Sequence, residues 1–190
     1  MAIVLASQSP RRQELLARIG VEDFKTLSLD IDESYPEGLS PEDTVRYIAK
    51  KKCDAAAALC APDDLIITAD TMVFLDNDRL GKPRDEEDAL RMLHALSGRA
   101  HTVCTGVSVR RGAQEERFAV STRVFFRPMT DDEIRAYIKT GEPMDKAGAY
   151  GVQSRGALFV ERIDGDFFNV MGLPVEQLGL VLARFGVKLL

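Results

Sequence analysis

The sequence predicts an α/β chain, in which strand-length apolar runs alternate with capped helices, and three stretches carry that prediction. Ala2-Ile3-Val4-Leu5-Ala6 is an apolar run that turns at Ser7-Gln8-Ser9 and enters a helix whose first residue is Pro10, with Ser9 at the N-cap. Residues 65–75 form a longer extended run with both faces apolar. Residues 100–109 and 116–126 favour strands and, joined by a turn at Arg111-Gly112-Ala113, predict an antiparallel pair.

The remaining elements follow in order. Leu15, Leu16 and Ile19 give the first helix its apolar face and Gly20 ends it. A short strand is expected over 24–29. Ser40-Pro41-Glu42-Asp43 starts a second helix with a cap, a proline at the first position and acids in the first turn. Its stripe is Val45, Ile48, Ala49, Ala56 and Leu59. Asp76-Asn77-Asp78-Arg79 turns the chain back through Leu80-Gly81-Lys82-Pro83, and Asp85 caps a helix that runs to Leu96 and stops at Ser97-Gly98. Thr130 and Glu133 make a capping box for a helix to about Lys139, closed by Gly141. Residues 157–163 read as a strand, Gly165 as a turn, and Pro174 opens a last amphipathic helix to about Phe185.

Several residues sit where stability alone would not put them. Arg11 and Arg12 meet the positive end of a helix dipole, which disfavours each cation by roughly 0.3–1 kcal/mol. Two guanidinium forks beside spare backbone amides describe an anion site, and a solvated basic pair is the plain alternative. Lys52 falls in the middle of an apolar stripe while Lys50 and Lys51 point elsewhere, so it snorkels to solvent or faces a ligand. Asp70 lies at the centre of the 65–75 run. A buried carboxylate is rare unless paired, metal-bound or hydrogen-bonded, so Asp70 either orients and deprotonates a water, directly or through a metal ion, or caps a bulge. Asp30, Asp32 and Glu33 are close enough to hold a hard divalent cation together with substrate phosphates, or are simply solvated. Gly81-Lys82-Pro83 presents one charge on a constrained loop. The glycine-rich segment 141–153 suggests backbone lying close to a ligand, with Gln153 able to offer a base edge both a donor and an acceptor; a plain surface loop is the alternative.

Bulk properties narrow the classes. The 190 residues, 45% hydrophobic and 29% charged, suit one domain over 1–190, of two lobes. A net charge of −5 offers no general attraction to nucleic acid or an anionic membrane, which favours a small ligand held by local cations. No run reaches the length of a membrane span and the N-terminus lacks a secretory layout. Three scattered cysteines without a CxxC suggest reduced thiols in a cytoplasm and no structural zinc. Neither a P-loop nor a GxGxxG after a strand is present.

Ser7 to Leu16 (SQSPRRQELL), Ala69-Asp70-Thr71, Gly81-Lys82-Pro83 and Asp145 to Gln153 (DKAGAYGVQ), in that order, resemble the Maf family of nucleotide pyrophosphatases from about Ile3 to about Leu182. The resemblance implies a mixed twisted sheet flanked by helices, two lobes with a central cleft, and likeness to inosine triphosphatases. It implies hydrolysis of nucleoside triphosphates to monophosphate and pyrophosphate, with Asp70, Lys52, Lys82 and Glu33 as catalytic residues. Ser7, Ser9, Arg11, Arg12, Thr71, Lys146 and Gln153 would bind substrate, and Glu33 and Asp70 a divalent cation, Mg²⁺ or Mn²⁺. Thr71 and Gln153, with Arg12, resemble the dTTP/UTP subgroup; the sister subgroup, which prefers 7-methyl-GTP, typically has Gln after the Asp. A house-cleaning role, a link to septum formation, a homodimer, and a non-enzymatic nucleotide-sensing alternative also come with the resemblance.

Overall fold

Strand β1, Ile3–Leu5, pairs in parallel with both β2, Phe24–Thr26, and β3, Leu65–Leu75, Leu5 standing opposite Thr26 on one side and Ile67 on the other. The computed structural model describes residues 1–76 and 78–190, so Asn77 of the expected turn lies outside the described residues. Strand β2 stops earlier than predicted. Its partner ends at Leu5, and after the Leu27 amide bonds the Leu5 carbonyl at 3.0 Å nothing remains to pair with.

Helix α1, Pro10–Arg18, buries Leu15 and Leu16. Ser9 holds the cap position but its side chain makes no cap bond; its amide donates to Ser7 Oγ at 3.2 Å instead. Helix α2, Pro41–Ala57, begins as expected, with Ser40 accepting from the Asp43 amide. It buries Val45, Ile48, Ala49 and Ala56, with Cys53 completing the stripe. Leu59 does not belong to it: the Leu59 amide bonds the Ala56 carbonyl at 2.9 Å, tightening the last turn, and the side chain is left exposed. Strand β3 has the predicted bounds and turns back through β4, Asp78–Leu80, antiparallel to it.

Helix α3, Glu86–Leu96, is capped by Asp85. Strands β5, Ala100–Arg111, and β6, Gln114–Phe126, are neighbours in the sheet, joined at Gly112, whose φ of 56° suits glycine. Helix α4, Asp131–Ile138, carries the predicted capping box. Residues 157–159 are not strand: a 3₁₀ turn, Arg155–Phe159, comes first because the Ser154 carbonyl takes the Ala157 amide, and β7 is confined to Val160–Asp164. The short helix α5, Phe167–Met171, is absent from the sequence reading, and α6, Val175–Arg184, follows Pro174. Among the described residues the strand order is β2-β1-β3-β5-β6-β7, with β4 on β3, which makes the sheet mixed.

The chain divides into two compact units. The first holds Met1–Asp70, Thr105–Val120 and Gly172–Leu190; the second holds Thr71–Cys104 and Ser121–Met171. The core of the first is built on Leu5, Leu15, Leu16, Ile48, Leu65, Ile67, Leu178 and Leu182, all fully buried. That of the second has Leu93, Leu96 and Ile134 with a ring cluster of His101, Phe126 and Tyr150. No helix among the described residues is long and apolar enough to cross a membrane.

Candidate active site

Two local rules bring Lys52 to Asp70. Along a strand every second residue shares a face, so Thr68 and Asp70 point the same way; along a helix residues three apart do, so Ala49 and Lys52 do likewise. The buried Thr68 hydroxyl donates to the Ala49 carbonyl at 2.6 Å, tying β3 to α2, and one step further along both elements the Lys52 ammonium donates to Asp70 Oδ1 at 2.8 Å. Gly106 permits this approach, since a Cβ there would lie 2.3 Å from the Val45 carbonyl carbon and oxygen. Lys52 also meets Glu33 Oε1 at 2.8 Å, so one ammonium joins the mid-strand acid to the acidic loop. The snorkelling alternative is set aside, because the Lys52 side chain is only 15% exposed.

Asp70 is buried, and its second oxygen, Oδ2, has no hydrogen-bond partner. An unpaired oxygen of a charged group is among the more expensive things a fold can bury, by about 1–3 kcal/mol or more. Asp70 lies inside β3, five residues from each end of the strand.

Arg12 is fixed by backbone carbonyls. Its Nε donates to the Gly172 carbonyl at 2.8 Å and Nη1 to the Ala69 carbonyl at 2.9 Å and Ser7 Oγ at 3.3 Å, so the turn after β1, the residue before Asp70 and the start of the last segment are clipped together. Burial lowers the pKa of this guanidinium, and the like charge of Arg11 pushes it the same way; the carboxylates of Asp70 and Glu33 pull it back. The first turn of α1 contains no acid and no side-chain cap, as an anion-facing helix start requires. Ser7, Arg11, Arg12, Glu33, Lys52 and Asp70 thus gather in the first unit. The expected cluster of Asp30, Asp32 and Glu33 does not form: Asp32 accepts from the Ser34 amide at 2.9 Å and from Lys51 at 3.3 Å, while Glu33 turns to Lys52. Among the described residues no three His, Cys, Asp or Glu side chains gather in a way that would hold a metal.

Ser9 lies in the first unit too, and the remaining predicted residues lie in the second. Thr71 follows Asp70 and is half-buried, and Lys82 and Gln153 are exposed. The Lys146 ammonium donates to the Glu142 carbonyl at 2.7 Å and to Asp145 at 2.6 Å. The Gly148 amide bonds the Gly81 carbonyl at 3.1 Å, joining the loop of Lys82 to that of Lys146. Gly148 is fitted to this place twice over, by a φ of 72° and by Val73, which a Cβ would touch at 3.0 Å. Ala149 beside it also has positive φ, 61°, a conformation that persists only where the surroundings enforce it. The sequence reading gave no role to Gly172 or Glu142, because a backbone acceptor and an acid in a glycine-rich loop leave no periodic signal.

The Maf-like protein family matches residues 2–185. The chain belongs to the Maf family. A dTTP/UTP pyrophosphatase of Bacillus velezensis is 47% identical to it over 186 residues, covering 98% of this chain and 97% of that one. Another of that name, from Dictyoglomus turgidum, is 47% identical over 191 residues, covering 99% and 98%. Among solved structures, a HAM1 protein from Coxiella burnetii matches this Maf chain with a TM-score of 0.57 at 16% identity, over 97% of this chain and 99% of that one, a likeness of fold.

Proposed function

We propose that this Maf protein is a nucleoside triphosphate pyrophosphatase that hydrolyses dTTP and UTP to the monophosphate and inorganic pyrophosphate. The observation that carries the reading is the buried Asp70 carboxylate, one oxygen held by Lys52 and the other without a hydrogen-bond partner. The near-full-length relatives named dTTP/UTP pyrophosphatase support the substrate.

Cleavage between the α and β phosphates needs an activated water and neutralised phosphate charge. Asp70 Oδ2 is the acceptor for the water's proton, and Lys52, bound to Oδ1, fixes the direction in which Oδ2 points. Ala69, Gly172 and Ser7 set the plane of Arg12, which is assigned to the phosphate oxygens; Arg11 adds charge at the same helix start, with Ser7 and Ser9 as hydroxyl donors. Lys82 and Lys146 are assigned to the phosphates, and Thr71 and Gln153 to the pyrimidine. Glu33 and Asp70 would hold a divalent cation, magnesium or manganese. They fit one, since both carboxylates lie against the same ammonium and Glu33 is 55% exposed, leaving other positions to phosphate oxygens. Such an ion, when bound, supplies Lewis-acid neutralisation of phosphate charge and lowers the pKa of water. Buried Cys53 and Cys104 and half-buried Cys60 suit a cytoplasmic protein, and a homodimer is the assembly the resemblance implies.

The test is pyrophosphate release from dTTP, UTP, CTP, GTP, ATP and 7-methyl-GTP, each with and without Mg²⁺ or Mn²⁺. Ion-dependent release from dTTP and UTP is expected. Orthophosphate in place of pyrophosphate, preference for 7-methyl-GTP, or tight binding with no hydrolysis would each contradict the proposal.

A further inference from the structure

Gln153 is exposed on a segment that has no long element to hold it. Residues 142–156 pass through 3₁₀ turns Glu142–Asp145, Ala147–Ala149 and the start of Arg155–Phe159, and a side chain on such a backbone discriminates between bases only if the backbone is pinned. We propose that Glu142 is the positioning residue that pins it, and so sets nucleotide selectivity without touching the substrate; the inference rests on Gln153 reading the base.

Glu142 Oε1 accepts from the Ser154 hydroxyl at 2.6 Å, the Tyr137 hydroxyl at 2.7 Å and the Gly156 amide at 3.2 Å, and Oε2 accepts from the Arg155 amide at 3.3 Å. Ser154, Arg155 and Gly156 are the three residues that follow Gln153. On the other side the Tyr137 hydroxyl, which donates to Glu142, accepts from the Gly151 amide at 3.1 Å, so the backbone is held two residues before Gln153 as well. Glu142 also holds Lys146, through its own carbonyl. Space reinforces these bonds: a Cβ on Gly151 would meet Ser154 Oγ at 2.8 Å and Lys146 Cε at 2.9 Å, and one on Gly156 would meet the Gly151 carbonyl at 2.6 Å. Partial burial raises the Glu142 pKa, but the donors from Ser154, Tyr137, Gly156 and Arg155 outweigh it and the carboxyl lies below its ordinary value. Burial and the neighbouring carboxylate both raise the Tyr137 pKa, which keeps its hydroxyl a donor. A residue that served only to end α4 would spend its acceptors on the last turn of that helix. Three of the four donors to Glu142 instead lie twelve to fourteen residues downstream.

The experiment compares kcat and KM for dTTP, UTP and CTP in Glu142→Ala, Glu142→Gln, Gln153→Ala and the double variant Glu142→Ala/Gln153→Ala, each with its thermal midpoint. Glu142→Ala is expected to raise KM for dTTP and UTP about tenfold while kcat stays within about threefold, so that selectivity over CTP falls about tenfold. Glu142→Gln, which keeps an oxygen acceptor, should recover most of that selectivity. Because Glu142 acts through Gln153, the double variant should lose no more selectivity than Gln153→Ala alone. A lowered midpoint with unchanged selectivity, or losses that multiply in the double variant, would overturn the inference. Should Glu142→Ala not fold, Ser154→Ala and Tyr137→Phe each remove one donor; partial losses of selectivity support the role and unchanged selectivity in both overturns it. Wild-type protein that hydrolyses no triphosphate sinks the functional reading and this inference together, whereas selective wild type with equally selective variants sinks only the positioning role.

Discussion

Asp70 and Glu142 are both carboxylates drawn out of water, and the fold completes one and leaves the other unfinished. Glu142 receives hydrogen bonds from Tyr137, Ser154, Arg155 and Gly156, on both of its oxygens. Asp70 is more deeply buried, yet Lys52 reaches only one oxygen and Oδ2 has no hydrogen-bond partner. The two lysines mirror the acids. Lys146 closes on acceptors of its own loop, whereas Lys52 stands between two carboxylates. A satisfied network rigidifies what it touches, while an unsatisfied buried oxygen is retained at a cost to stability, and sites of chemistry are where such costs are tolerated.

Removing Lys52 should have the largest effect on stability, because it strands a buried charge. Lys52→Met is expected to lower stability by about 3–5 kcal/mol. At this chain length that is a fall of roughly 6–20 °C in thermal midpoint, and adding Asp70→Asn should restore most of it. No recovery in the double variant would show that Lys52 matters for packing alone.

A second buried atom without a partner sharpens the comparison. His101 Nε2 lies 2.8 Å from the Tyr150 hydroxyl while Nδ1 has no hydrogen-bond partner, and burial drives the imidazole pKa down to about 4. Here the fold buries a neutral ring rather than an ion. Because the folded pKa lies below the unfolded value of about 6.5, the unfolded chain binds the proton first. The contribution is therefore complete above pH 6.5 and lost as pH falls toward 4, by on the order of 3 kcal/mol. Urea titrations at pH 7 and pH 4.5 should show that fall in the wild type and a flatter one in His101→Phe. An equal fall in both would assign the pH dependence to other groups.

Gly106→Ala moves α2 without altering any charge. It should lower stability by about 1–3 kcal/mol and reduce turnover while leaving base selectivity intact, since the helix it displaces carries Lys52 and not Gln153. Loss of selectivity as large as loss of turnover would blur the distinction between the two acids. At the small end, Lys50 pairs with Asp54 at 2.5 Å in an exposed i,i+4 contact, and Lys50→Ala should change stability by less than about 0.5 kcal/mol with turnover unaffected. A large turnover loss in Lys50→Ala would mean that the face of α2 carrying Lys50, not the one carrying Lys52, serves the site.

Much of this was legible in the sequence because its signals are local. Ser40-Pro41, Asp85 and Thr130 with Glu133 announce helix starts within four residues, and β3 has the bounds its apolar run gives. Lys52 and Asp70 were each visible as an anomaly, a charge in an apolar stripe and an acid in an apolar strand. That they are each other's partner was not, since it depends on the Thr68 to Ala49 bond and on the space left by Gly106. Arg12 was read as an open fork, but the carbonyl that orients its Nε lies 160 residues away. Leu59 fitted the helical wheel and failed because the helix ends two residues before it. Glu142 was invisible for the same reason as Gly172: its meaning comes from residues that only the folded chain brings to it.

The most direct measurement takes Asp70→Asn and records turnover with dTTP and thermal midpoint on the same sample. An amide keeps the shape and still accepts from Lys52, but it can no longer take a proton at the Oδ2 position. Turnover is expected to fall by roughly 10²–10⁴-fold while the midpoint holds or rises. Turnover within about threefold of wild type would show that the unpartnered oxygen of Asp70 is not where the reaction happens.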